Sequence, residues 1–224
     1  MLIRGTGRPD GYYLADGRRV PSVTTITGAR KMGIEGLLAW ANQLGREGKS
    51  HREARQAAAD AGSLAHTMVE NAIHGRDPME GIPPVEASVL EQAKTGYGGF
   101  VRWNEIMALT YLETEVPMVS EQERYGGTPD AIARSKEGRL LLLDWKSSNA
   151  VYGDYIIQLA AYGRLWNSNH EEGIQEYYLL RFGKQEGDFH FHSYPPNVIE
   201  KAWLAFLHLR ALYDLDKELK KVAT

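Results

Sequence analysis

Two acidic residues and a lysine carry the strongest chemical signal in this sequence. Asp130 stands fourteen residues before the triplet Asp144-Trp145-Lys146, and each segment lies in or directly after a predicted strand. Two carboxylates that converge from neighbouring strands, together with water and phosphate oxygens, offer the hard ligands that Mg²⁺ and Mn²⁺ prefer. The spacing therefore predicts a divalent-metal site at the ends of two strands.

The acid-x-lysine triplet is common, and its context distinguishes this copy from two others, Glu47-Gly48-Lys49 and Glu218-Leu219-Lys220, which fall in helical runs. Asp144 and Lys146 follow four consecutive leucines, a pattern typical of a strand buried on both faces. The two-residue period puts both charged side chains on one face and Trp145 on the other. Buried charges are costly unless paired or bound to metal. A strand-end ion pair without chemistry is the alternative.

Helical segments on either side supply further candidates. His66 shares one helical face with residues 62 and 70, and an imidazole beside two carboxylates favours Mn²⁺ somewhat. Gln158 and Tyr162 are one turn apart on the helix that follows the triplet, where they could reach phosphate or base. The alternative for all three is an ordinary structural role in the core or on the surface.

The elements that would hold these residues alternate between helical and extended patterns. We predict a hairpin turning at Asp16-Gly17. Helices are predicted over 34–46, 50–73, 85–109, 154–166 and 196–222, and strands over 111–119, 127–134, 139–145, 174–182 and 188–194. This order predicts an α/β protein with a mixed central sheet flanked by helices, in a single domain.

Composition limits the chemistry further. The 224 residues are 43% hydrophobic and 25% charged, which is ordinary for a globular protein. The sequence has no cysteine, so disulfides, thiolate zinc sites, iron–sulfur clusters and cysteine nucleophiles are excluded. A metal must be held by oxygen and imidazole. No run of 18 apolar residues occurs, and we expect a cytoplasmic protein without membrane association.

Five ordered motifs spanning residues 62–162 resemble the PD-(D/E)XK nuclease superfamily, in particular its RecB-like exonuclease branch. The matching residues are His66 with Glu70, Glu115, Gly127-Thr128-Pro129-Asp130, Asp144-Trp145-Lys146-Ser147 and Gln158-Leu159-Ala160-Ala161-Tyr162. Residues 21–26 and 40–48 are also similar to the N-terminal part of phage-encoded and mitochondrial genome maintenance exonucleases.

The resemblance implies a restriction-endonuclease-like αβββαβ core, with a helical part over about residues 1–109 and a catalytic part over about 110–224. It implies three catalytic residues, Asp130, Asp144 and Lys146, of which Lys146 would position or deprotonate the attacking water. It implies four metal ligands: His66, Asp130, Asp144 and the Trp145 main-chain carbonyl. Glu70 and Glu115 would lie around the metal or bind an additional one. Ser147, Gln158 and Tyr162 would support the site or bind DNA.

The function implied is a Mg²⁺- or Mn²⁺-dependent DNA exonuclease acting from DNA ends, single-stranded or resected duplex, in recombination, repair or phage DNA processing. A recombination or single-strand-binding protein is the expected partner. No Gly-x-x-x-x-Gly-Lys-Ser/Thr loop occurs, so no ATP is expected. The alternatives are a structure-specific endonuclease, a non-catalytic DNA-binding or assembly module with the same fold, and an ion-pair network without any nucleic-acid role.

Overall fold

The computed structural model describes residues 10–28, 34–48, 50–148, 150–182 and 189–222. Its helices are α1 (Val23–Gly28), α2 (Ile34–Arg46), α3 (His51–Ile73), α4 (Ala87–Met107), α5 (Gly153–Asn169) and α6 (Pro196–Val222). Its strands are β1 (Tyr12–Tyr13), β2 (Arg19–Val20), β3 (Thr110–Thr114), β4 (Met118–Ser120), β5 (Tyr125–Gly127), β6 (Ala131–Arg134), β7 (Leu140–Ser147), β8 (Glu176–Phe182) and β9 (Phe189–Ser193).

A five-stranded mixed sheet in the order β3-β6-β7-β8-β9 forms the centre of the fold. Neighbouring strands are antiparallel except β7 and β8, which run parallel and are connected through α5. Helices pack on both faces, so the predicted α/β class with a mixed, helix-flanked sheet is confirmed. The predicted order αβββαβ corresponds to α4, β3, β6, β7, α5 and β8.

The four leucines of β7 show why the sheet carries two apolar layers. Leu140 and Leu142 face a core that includes residues of α1, α5 and α6, whereas Leu141 and Leu143 face a core built from α3 and α4. All four are at most 1% exposed, as expected of a strand covered on both sides. The same alternation places Trp145 in the α3–α4 layer and aims Asp144 and Lys146 the other way.

Two predicted strands are each interrupted in the structure. The segment 111–119 breaks into β3 and β4 at Glu115, which has a φ of 48°, and Pro117 lies in the break. The segment 127–134 breaks at Thr128-Pro129, so that Gly127 ends β5 and pairs with β4 in a separate two-stranded sheet. Proline cannot donate to a strand ladder. Both breaks lie next to the residues expected to bind metal.

The helices agree closely with the sequence pattern. Ser50 caps α3 by accepting a hydrogen bond from the Glu53 N–H at 3.3 Å, and Gly75 follows the helix with a φ of 68°. The sequence did not predict α1, a six-residue helix. No helix within the described residues is long and apolar enough to span a bilayer.

Candidate metal and catalytic site

Asp130 lies at the centre of the candidate site, between the end of β5 and the start of β6. It is 3% exposed, and its Oδ2 accepts a hydrogen bond of 2.7 Å from the Trp145 N–H on β7. Its Oδ1 lies 3.7 Å from Nδ1 of His66 on α3. The strand bond fixes the carboxylate, so one oxygen is held toward the helix that carries the histidine.

Glu115 completes a three-residue group with His66 and Asp130. One ligand atom from each lies within 4.8 Å of the others. The Glu115 N–H donates to the Asp130 carbonyl at 3.1 Å while its backbone has the left-handed φ of 48°. That conformation costs a non-glycine residue about 1 kcal/mol or more and persists where the surroundings enforce it. Two carboxylates and an imidazole fit a hard divalent cation such as Mg²⁺ or Mn²⁺.

Asp144, which is buried, forms an ion pair beside this group with Lys146, whose side chain is 18% exposed. Lys146 Nζ lies 2.5 Å from Asp144 Oδ2 and 5.5 Å from the centre of the Tyr155 ring. Asp144 is not a member of the three-residue group. Both residues of the pair line a cavity of about 240 Å³, open to the surface. His66, Ser147, Tyr162 and Thr24 line the same cavity.

Burial controls the protonation of this pair. Burial raises the pKa of Asp144 to about 6, because the effect of desolvation is larger than the opposing attraction of Lys146. The negative charge of Asp130 raises this pKa further. For Lys146, burial acts to lower the pKa, but Asp144 and Asp130 outweigh it and the net change is upward. The lysine therefore remains a cation at neutral pH, whereas Asp144 titrates just below it.

The raised pKa of Asp144 predicts a pH-dependent stability. A carboxyl with a higher pKa in the folded than in the unfolded protein stabilises the fold below its ordinary value of 3.8, and this stabilisation is lost as the pH rises through about 6. In the presence of a chelator, we expect the free energy of unfolding of the wild type to fall between pH 4 and pH 7. This fall should exceed that of Asp144→Asn by about 1–3 kcal/mol. Urea unfolding across this range measures it; parallel pH profiles for the two proteins would contradict it.

The structure separates Glu70 from the other sequence candidates. Glu70 is not part of the three-residue group; its Oε1 lies 4.0 Å from Arg76 Nη2, and its side chain is 41% exposed. The sequence grouped Glu70 and Glu115 as equivalent groups near the metal. The structure brings Glu115 to Asp130 and leaves Glu70 one helical turn further along α3.

Close packing positions the remaining candidates. A Cβ on Gly62 would lie 3.0 Å from Ser147 Cβ, and one on Gly127 only 2.7 Å from Tyr162 Cε1, so both glycines permit the approach of side chains that line the cavity. Gln158 is buried, and its Nε2 donates to Thr27 Oγ1 at 3.2 Å. Gln158 therefore attaches α1 to α5. The Trp145 carbonyl stays a predicted ligand, while the Trp145 N–H orients Asp130.

Two residues near the site, Arg181 and Tyr155, were not predicted from the sequence. Arg181 stands beside Lys146 in the register of β7 and β8, is 5% exposed, and donates from Nη1 to the Ser148 carbonyl at 2.7 Å. A charged residue within the apolar run of β8 was the available signal. Tyr155 contacts Lys146, and only its spacing of three residues before Gln158 could have indicated it.

Of the other two acid-x-lysine triplets, Lys220 pairs at the surface with Asp216, and Lys49 lies outside the described residues.

Comparison with known proteins gives similarity to solved structures alone. No protein-family model matches the chain, and no curated protein matches. A protein of Eubacterium rectale named as a candidate exonuclease is 14% identical over 67% of this chain and 68% of its own, with a TM-score of 0.43. An alkaline exonuclease of Laribacter hongkongensis, LHK-Exo, is 13% identical over 75% of this chain and 92% of its own, with a TM-score of 0.37. Its complex with dAMP gives 14% identity, coverages of 74% and 95%, and a TM-score of 0.40.

Proposed function

We propose that the protein is a metal-dependent DNA exonuclease that hydrolyses phosphodiester bonds from DNA ends. The observation that carries the proposal is one constellation: a His66–Glu115–Asp130 group able to hold a divalent cation, with the Asp144–Lys146 pair in the adjoining cavity. A carboxylate-rich, partly enclosed site with a fixed lysine suits hydrolysis of an anionic ester.

The side chains divide the work by their positions. His66, Glu115 and the Asp130 oxygen that faces His66 would hold the cation, and Asp144, once ionised, would add a further carboxylate from the neighbouring strand. A divalent cation bound there supplies positive charge against the phosphate oxygens and makes a nearby water more acidic. The hydrogen bond from Trp145 keeps Asp130 in the orientation this requires.

Lys146 serves mainly as a positive charge. Its raised pKa leaves it protonated near neutral pH, so in this state it cannot remove a proton from water. It can donate hydrogen bonds to a phosphate oxygen or to the water, and offset the charge that develops on the phosphate as the bond breaks. This favours positioning of the water, which is one of the two roles that the motif resemblance implies for Lys146.

The preference for DNA ends follows the motif resemblance and is an argument by analogy. The same resemblance supports a role in recombination, repair or phage DNA processing, a cytoplasmic location, and work alongside a recombination or single-strand-binding protein.

Digestion of matched linear and closed circular DNA tests the proposal. Linear molecules labelled at the 5′ or 3′ end, and circles of the same sequence, are incubated with Mg²⁺, Mn²⁺ or EDTA, beside Lys146→Met. We expect cation-dependent release of nucleotides from linear DNA, intact circles and little product from the variant. Cutting of circles would instead indicate an endonuclease, and DNA binding without cutting would indicate a non-catalytic module.

A further inference from the structure

We propose that Tyr152, supported by Tyr155, forms a stacking site for an unpaired nucleobase at the edge of the catalytic cavity. The inference rests on the proposed function in taking nucleic acid as the ligand. It adds a binding site at residues outside the motifs and assigns the site to single-stranded rather than paired DNA.

A continuous series of contacts connects this tyrosine pair to the catalytic groups. The rings of Tyr152 and Tyr155 have centroids 5.5 Å apart and are inclined at 86°. Lys146 Nζ lies 5.5 Å from the Tyr155 ring centre and touches Asp144 on its other side. A nucleotide whose phosphate reaches Lys146 would thus have its base near the two tyrosines.

Exposure argues against a simple packing role for Tyr152. Its relative exposure is 51%, while Tyr155 is half-buried against the α5–α6 core. A tyrosine that serves the core is more deeply buried, as Tyr162 and Tyr125 are in this chain. Tyr155 packs between Tyr152 and Lys146, and Tyr152 exposes half of its surface to solvent.

Three hydrogen bonds hold Ser148, four residues before Tyr152. The Ser148 N–H donates to the Phe182 carbonyl at 3.3 Å, the Ser148 carbonyl accepts from Arg181 Nη1 at 2.7 Å, and Ser148 Oγ donates to the Ala150 carbonyl at 2.8 Å. Tyr152 then begins α5 as its N-terminal cap residue. The backbone of Tyr152 is thus attached to the first turn of α5, which also carries Tyr155.

Stacking on an aromatic side chain selects unpaired bases. In a duplex each base face is already stacked on its neighbours, whereas a single strand can turn a base out onto a tyrosine. Single-strand-binding surfaces combine such aromatic rings with nearby positive charge. Lys146 supplies the charge here, and Arg181 stands next to it in the sheet.

Binding measurements on substitutions at position 152 test the site without requiring catalysis. Fluorescence anisotropy with a labelled oligo-dT and with a blunt duplex, both in EDTA, is measured for wild type, Tyr152→Ala, Tyr152→Leu, Tyr152→Phe and Tyr152→Trp. We expect alanine and leucine to weaken single-strand binding about tenfold, the aromatic replacements to retain it, and duplex binding to stay unchanged. Tyr13→Ala is the matched control, because Tyr13 is 50% exposed and lies on hairpin strand β1, outside the series of contacts from Tyr152 through Tyr155 to Lys146.

An altered ligand makes the assignment specific to the base. An oligonucleotide that lacks bases at its last three positions should bind the wild type about tenfold more weakly than the intact strand does. The two oligonucleotides should bind Tyr152→Ala with equal affinity, because the variant has no ring on which a base could stack. If the losses of affinity caused by removing the bases and by Tyr152→Ala were additive, the site would be overturned. Equal single-strand affinities of Tyr152→Leu and Tyr152→Phe would overturn it as well. If the wild type digests DNA and Tyr152→Ala binds single strands normally, the stacking site is overturned and the nuclease proposal is kept. If single-strand binding depends on an aromatic residue at position 152 but the wild type digests no DNA, the nuclease proposal is overturned and the stacking site is kept.

Discussion

If the protein is the proposed nuclease, we expect Lys146→Met to lower the rate of DNA hydrolysis by about 10²–10⁴-fold, the range found when a group that handles charge or protons in the transition state is lost. Methionine keeps the length of the side chain without its charge. No other lysine or arginine belongs to the described cavity lining. The loss should appear in the single-turnover rate on end-labelled linear DNA, while DNA binding falls much less.

A second consequence of the same substitution lies at Asp144. Without Lys146 the buried carboxyl loses its partner, so its pKa rises further above the already raised value. Lys146→Arg distinguishes the two roles: the larger guanidinium restores a positive charge but does not place it where the ammonium was. We expect partial recovery of folding stability and little recovery of rate.

A lysine outside the site serves as control. Lys220 is 75% exposed and pairs with Asp216 one turn before it on α6, so Lys220→Met should leave the rate unchanged. Hydrolysis by Lys146→Met at close to the wild-type rate would show that Lys146 has only a structural role. Comparable slowing by Lys220→Met would point to non-specific loss of DNA binding.

The sheet and most helices were predictable because their signals are local. The run Leu140–Leu143 indicated a doubly covered strand, and its alternation correctly separated Trp145 from Asp144 and Lys146. The approach of Asp130 to that strand was predictable, because Asp130 was placed in the predicted strand 127–134, whose second half pairs with β7. The helix 50–73 had both a serine cap and a terminal glycine in the sequence.

The placement of the acidic residues around Asp130 was not predictable, since it depends on backbone geometry that the sequence does not display. Glu115 reaches Asp130 because the chain adopts a left-handed φ there, whereas the sequence pattern predicted one strand over 111–119, with Pro117 at an edge or a bulge. Glu70 has the favourable helical spacing from His66, yet the direction of α3 carries it toward Arg76. Arg181 acts through a loop carbonyl, a contact that sequence spacing does not encode.

The two glutamates therefore provide the decisive comparison for metal binding. Asp130→Asn and Glu115→Gln should each weaken Mn²⁺ binding more than about 100-fold, exceeding the 10–100-fold usual for groups that only orient ligands. In Asp130→Asn, the remaining carbonyl oxygen can keep the bond from the Trp145 N–H, which turns an NH₂ group toward His66 and the cation. Titration calorimetry with Mn²⁺ measures the affinities, and thermal unfolding checks the fold.

Glu70→Gln makes the same chemical change on the same side of the sheet as His66, and because its carboxylate lies outside the three-residue group we expect Mn²⁺ affinity within about threefold of wild type. Equal losses for Glu70→Gln and Glu115→Gln would mean that general negative charge, rather than coordination, attracts the cation. Unchanged affinity in Glu115→Gln would remove that residue from the ligand set. A wild-type affinity that survives Asp130→Asn would contradict the site itself, since this carboxylate approaches the helix histidine with one oxygen and accepts the Trp145 N–H of the sheet with the other.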